Sequence, residues 1–133
     1  MASDLGGGDW SLGVPQIDRE HGEILDLAND FRAAVDAAAP KDELERRLGT
    51  FVEVVARHFA SEEDLMLSSG YAGREAHEQE HGRLLGQIRL FESEFASGKI
   101  STCDALALFV EVWTTQHILG PDQRLAEFLK ETR

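Results

Sequence analysis

Two short spacings in this chain carry metal-binding chemistry: His58-x3-Glu62 and His77-x3-His81. Residues four apart stack on one face of an α-helix, one turn above the other. Each pair therefore offers two donors from a single face. Deprotonated imidazole and carboxylate are both ligands for a transition metal. Between the pairs lie Ser68-Ser69-Gly70 and Gly73, which read as a turn. Residues 58 to 81 thus predict a helical hairpin that aims three imidazoles and a carboxylate at one place.

The apolar spacing shows which elements must position that hairpin. A first stripe, Ile17, His21, Ile24, Ala28, Phe31 and Val35, alternates steps of four and three and ends before Pro40. The second is Leu44, Leu48, Phe51, Val55, His58, Glu62 and Leu65, with Asp42 and Glu45 as a cap-like start. The third is His77, His81, Leu84, Ile88, Phe91 and Phe95, stopped by Gly98. The fourth is Cys103, Leu106, Val110, Trp113 and His117, with Ser101 and Asp104 as a capping box. Short connections between long helices predict an all-α fold, an antiparallel up-down four-helix bundle. Residues 1–9 read as a flexible leader. Trp10 to Gln16 read as an extended N-terminal arm, since Gly13 and Pro15 disfavour helix. The domain is expected to span residues 10–133.

All five histidines, His21, His58, His77, His81 and His117, fall on these stripes, and so does Glu62. Glu63 and Asp64 turn away by about 100° per residue. In an antiparallel bundle His21, His58, His77 and His117 all lie at the same end. Burying so many unpartnered polar groups would cost several kcal/mol; a metal centre removes that cost. Mixed nitrogen and oxygen ligation suits non-haem iron, with manganese or zinc also compatible. A break in the fourth stripe supplies one more donor. The step of four from His117 lands on Pro121, which clashes with the preceding turn, and Gly120 weakens the helix further. The stripe resumes one residue late at Asp122, Leu125 and Leu129. That slip turns Asp122 inward, where a regular helix would place it about 140° away from His117.

Composition narrows the classes of function. The 133 residues suit one domain with a real core, and 42% hydrophobic with 29% charged residues suits a globular chain. A net charge of −12 repels phosphate backbones and anionic membrane surfaces, which argues against nucleic-acid and membrane partners. Cys103 is the single cysteine, so no internal disulfide forms; its position on a stripe reads as a core thiol. No basic start followed by an apolar run marks a secretory signal, and no apolar stretch reaches membrane-spanning length. A cytoplasmic location is expected.

The set His21, His58-x3-Glu62, His77-x3-His81 and His117-Ile118-x3-Asp122 resembles the hemerythrin family in its bacterial single-domain form. Trp10 with Gly13, Ile17-Asp18, Phe59, Gly70-Tyr71 and Trp113 match as well, so the likeness runs over nearly the whole chain. The resemblance implies two iron ions joined by an oxo or hydroxo group. By carry-over, His77, His81 and His117 bind one iron, His21 and His58 bind the other, and Glu62 and Asp122 bridge both. The iron with two histidines is then one ligand short of an octahedron. There the family binds dioxygen reversibly, as hydroperoxide after two-electron transfer. A carrier, store or scavenger of dioxygen is implied, and not an enzyme. Ile24, Phe59, Trp113 and Thr114 are candidates to line the dioxygen pocket, with ordinary core packing an equally good account of the first three. Oligomeric state is open, with a monomer favoured.

Three departures from the family pattern stand out. Thr114 replaces a bulky apolar residue, and its hydroxyl is expected to make the pocket more polar and speed autoxidation. Ala72 replaces a frequent proline after Tyr71. Leu125 stands where many members carry a tyrosine near the bridging aspartate. Rival readings stay in view. His77-Glu78-Gln79-Glu80-His81 fits the H-E-x-x-H zinc-hydrolase pattern, although Glu78 is off the stripe. Peroxidase or nitric-oxide chemistry at the same pair of irons, or an oxygen or redox sensor, are further alternatives. A ferritin-like oxidase needs four inward glutamates, and here histidines outnumber carboxylates.

Overall fold

The computed structural model describes residues 12–98 and 118–131. Every regular element among them is helical: α1 (Pro15–Asp36), α2 (Lys41–Ser69), α3 (Arg74–Ala96), a π-helical turn (Ile118–Asp122) and α4 (Gln123–Glu131). The leader, Trp10, the Ser101–Asp104 capping box, Cys103, Trp113, Thr114 and His117 lie outside the described residues.

The first helix starts earlier than expected. Pro15 occupies its first turn, so Pro15 and Gln16 are helical and not part of the arm. Proline is pre-set for that position, where its missing N–H costs nothing. The extended segment ends at Val14. Asp18 secures it, accepting from the Leu12 backbone N–H at 2.7 Å and from Gly13 at 3.2 Å. The second helix also starts two residues early. Pro40 is its N-cap, without a side-chain cap bond, and Asp42 lies inside the first turn. A carboxylate there still faces the positive end of the helix dipole.

Between α2 and α3 the chain reverses over residues 70–73. Gly70 adopts φ 70°, the left-handed cap that a residue with Cβ resists. At Gly73 a Cβ would meet the Tyr71 ring at 2.8 Å, so any larger residue there requires that ring to move. The α1–α2 and α2–α3 pairs pack as neighbours along their lengths.

The stripes are buried largely as spaced; Val35, Phe91 and Leu129 are half-buried, and α2 shows a drift. Leu65 is only half-buried, and Met66 is fully buried in its place. A strict heptad lags a straight helix by about 20° per repeat. Over the three repeats from Leu44 the inward position therefore passes from Leu65 to Met66.

Two apolar clusters result. The larger joins residues such as Phe31 of α1, Phe51 and Val55 of α2, and Ile88 of α3. The smaller joins Ile17, Met66 and Leu125, with Leu12, Val14, Leu65, Tyr71 and Leu129 around them. Along α1, His21 lies between Ile17 and Ile24; along α2, His58 and Glu62 lie between Val55 and Met66. The polar residues thus form a layer sandwiched between the two clusters.

Candidate metal centre

Each helix contributes to that layer through the face that it also uses for packing. His21, His58, Glu62, His77, His81 and Asp122 are all at most 4% exposed, and both carboxylates are wholly buried. Asp122 arrives by the predicted route. Residues Ile118–Asp122, with Pro121 inside, form a π turn. Such a turn needs one more residue than an α turn to regain its face, and Asp122 at its end is wholly buried.

The donors fall into two groups: His21, His58, Glu62 and Asp122, and Glu62, His77, His81 and Asp122. The carboxylates belong to both, and each divides its oxygens between them. On one side Glu62 Oε2 lies 3.0 Å from His58 Nε2 and 3.8 Å from His21 Nε2. Asp122 Oδ2 lies 2.6 Å from His21 Nε2 and 3.5 Å from His58 Nε2. On the other side Glu62 Oε1 lies 3.1 Å from His77 Nε2 and 3.0 Å from His81 Nε2. Asp122 Oδ1 lies 3.0 Å from His77 Nε2.

These separations match donors grouped around a cation. Bonds of about 2.1 Å place neighbouring ligands of an octahedron about 3.0 Å apart. Hydrogen bonding alone does not account for the layer. Among the described residues His21 Nδ1, His58 Nε2 and Glu62 Oε2 have no hydrogen-bond partner, although the last two are only 3.0 Å apart. A buried polar atom left unpaired costs about 1–3 kcal/mol, and a cation between His58 Nε2 and Glu62 Oε2, the two that face the cluster, would remove that cost for both. The residues present therefore fit a pair of cations.

Charges and protons respond to the same crowding. Burial disfavours a charged His58, but its contacts with Asp122, Glu20 and Glu62 outweigh that and raise its pKa to about 11. His77 is opposed by burial and supported by Asp122 and Glu62, and rises to about 9. Burial and the neighbouring Asp122 push Glu62 upward; His58, His77 and His81 prevail and hold it down at about 2.

Two outer carboxylates escaped the sequence reading. Glu20 Oε1 accepts from His58 Nδ1 at 2.7 Å, and Glu63 Oε2 accepts from His81 Nδ1 at 3.0 Å. Both sit next to a stripe residue, on the flank of the face and not on it. The available signal is chemical: a metal-binding histidine needs a partner for its second nitrogen.

The remaining site candidates divide. Phe59 is buried, stacked on His81 with ring centroids 3.9 Å apart, and 6.1 Å from the His58 ring. Ile24 is buried one turn inward from His21. Leu125 is fully buried against Ile17 and Met66, an apolar contact at the position where the family pattern has a tyrosine. Glu78 binds Arg74 at 3.1 Å on the outer face of α3, away from the donors, which removes the general base that a zinc hydrolase would need. Surface hollows of about 400 Å³ beside His77 and about 220 Å³ beside His58 approach the cluster from two sides.

Fold and donor set together define an all-helical protein whose buried histidine and carboxylate cluster has the make-up of a binuclear metal site. The family described as the hemerythrin HHE cation binding domain matches residues 12–129, and the chain belongs to the hemerythrin family. It is similar to a bacteriohemerythrin of Methylococcus capsulatus, 31% identical over 115 residues that cover 86% of this chain and 87% of the relative. A myohemerythrin of Sipunculus nudus is 28% identical over 102 residues, covering 77% and 73%. A crystal structure of wild-type hemerythrin superposes with a TM-score of 0.80 at 29% identity, covering 86% of this chain and 87% of that one. The expected four-helix bundle is thereby the fold of this chain.

Proposed function

We propose that this protein binds dioxygen reversibly at a pair of iron ions, as a carrier, store or scavenger. His21 and His58 would hold one iron, and His77, His81 and His117 the other. Glu62 and Asp122 would bridge the two. The observation that carries this reading is the division of oxygens: each carboxylate offers one atom to the first donor group and the other to the second. A mononuclear site has no use for that arrangement. Membership of the hemerythrin family and the likeness to myohemerythrin support iron as the metal and dioxygen as the ligand.

When bound, such an iron pair supplies two electrons for reversible capture of dioxygen. The chain's own part is to hold and to exclude. His21 and His58 come from α1 and α2, and the apolar clusters on either side keep bulk water from the polar layer. Excluding water protects a reactive centre from side reactions. Ile24, Phe59, Trp113 and Thr114 are proposed to border the ligand, with Thr114 making that border more polar.

The test is anaerobic reduction of the iron-loaded protein followed by re-oxygenation, with visible absorption recorded and iron counted. Two irons per chain and a spectrum that cycles with oxygen and vacuum are expected. One metal per chain, or a spectrum that oxidises once and never returns, would defeat the reading. Steady turnover with peroxide or nitric oxide would assign the site to redox catalysis instead.

A further inference from the structure

The side of His58 turned away from the donor cluster is as ordered as the side turned toward it. Glu20 places Oε1 at 2.7 Å from His58 Nδ1, and a carboxylate accepts only, so Nδ1 carries the hydrogen. That assignment leaves Nε2, which faces Glu62 and Asp122, as the donor atom. Glu20 is itself held. Its other oxygen accepts from the Ser61 hydroxyl at 2.8 Å and from Gln16 Nε2 at 3.5 Å. Gln16 Nε2 also lies 2.6 Å from Ser61 Oγ, which ties α1 to α2 across the pair. The corresponding contact to His81 is made by Glu63, whose side chain is 38% exposed, against 23% for Glu20.

We propose that Glu20, braced by Ser61 and Gln16, is the positioning residue for the two-histidine half of the metal pair. It fixes the ring of His58 and strengthens Nε2 as an electron donor to the metal proposed to take dioxygen. This rests on the reading that His58 is an iron ligand. A negative acceptor behind a ligating imidazole orients the ring and increases its basicity, and removing such a partner weakens metal binding by roughly 10–100-fold. By the same logic it favours the higher oxidation state of the metal.

The hollow beside His58 supplies the control. Glu23 lines it together with Glu20, Arg57 and Ser61, but His58 Nδ1 is bonded to Glu20. Full-length Glu20→Gln, Glu20→Ala, Ser61→Ala and Glu23→Gln proteins would be loaded anaerobically with ferrous iron. Iron per chain would be counted under a competing chelator, and the midpoint potential would be measured by spectroelectrochemistry. Glu20→Ala is expected to hold one of its two irons roughly 10–100-fold more weakly than the unaltered protein. Glu20→Gln keeps an acceptor oxygen but not the charge; it should retain both irons while its potential moves positive. Ser61→Ala should move the potential the same way by less, and Glu23→Gln should match the unaltered protein. The proposal is overturned if Glu20→Ala keeps both irons normally and the Glu20→Gln potential coincides with that of Glu23→Gln. An unaltered protein that binds fewer than two irons would instead overturn the metal reading on which the proposal rests.

Discussion

At the scale of single residues, the same atoms bind protons and metal, and the two compete. His58 and His77, raised to about 11 and about 9 from 6.5, hold protons at neutral pH when no metal is bound. A group whose pKa is raised by folding stabilises the fold fully below its unfolded value and loses that contribution as pH rises through the folded one. The contribution of these two is therefore complete below about pH 6.5 and lost through about 9 and then 11. Glu62, lowered to about 2, has the opposite sign: its contribution is present above about 4.5 and lost as pH falls through about 2. Metal must displace the imidazole protons, so its affinity rises with pH. The gap in melting temperature between iron-loaded and metal-free protein should widen from pH 6 to pH 8. Calorimetry of both forms checks this; a constant gap would count against metal on His58 and His77. A second expectation concerns sharing. Because Glu62 faces both donor groups, Glu62→Ala should lose both irons, whereas His21→Ala should leave one measurable by metal analysis.

Legibility at this scale followed from geometry. The candidate ligands were readable because they occupy positions that also point into the core, so one periodicity found the buried Ile24, His58 and Glu62 alike. Glu20 and Glu63 were not readable, because their role depends on how near a neighbouring helix brings a ring nitrogen. Periodicity along one chain segment does not contain that distance.

At the scale of elements, the π turn decides where Asp122 points. It was legible as a stripe that resumes late after Gly120 and Pro121, and the structure realises it in Ile118–Asp122. Register predicts the outcome of two changes. Inserting one alanine between Gly120 and Pro121 would rotate Asp122 and the buried Leu125 and Ala126 by about 100°. Metal binding should fail, and the fold should weaken by several kcal/mol as that apolar face leaves the core. Deleting Gly120 should be far milder, since four residues of regular helix keep Asp122 on the inward face. Iron counting and thermal melts on both variants check the pair. The helix starts were less legible. Pro15 acts as a first-turn residue and Pro40 as an N-cap, because a proline that ends one conformation is also suited to begin another.

At the scale of the whole molecule, the larger cluster carries the fold and the polar layer carries the conditional part of its stability. Phe51 is wholly buried in the larger cluster, so Phe51→Ala should cost about 3–5 kcal/mol in denaturant melts, with or without metal. Metal removal acts elsewhere. A ligand at a hundred times its dissociation constant contributes about 2.7 kcal/mol. Stripping the iron should therefore lower the melting temperature by on the order of 10 °C. The antiparallel order of helices was readable from short connections. On the far side of the candidate ligands Ile17, Leu65, Leu125 and Leu129 were readable from their stripes. Their meeting with Leu12, Val14, Met66 and Tyr71 in one cluster was not, because the arm, the start of α1, the end of α2 and α4 are distant in sequence.

The placement of the polar layer between two apolar clusters has a consequence for cooperativity. Ile17, Met66 and Leu125 form a cluster separate from the main core, with the buried donors His21, His58, Glu62 and Asp122 between them along the helices, so without metal that layer couples the two weakly. The molecule should then divide into two units that open at different free energies, as native-state exchange reveals in other proteins. In deuterated buffer the amides of 123–131 should exchange orders of magnitude faster once iron is removed, while those of 48–55 quicken far less. With iron bound, both sets should open together, and the metal pair would be the joint through which one end of the bundle senses the other.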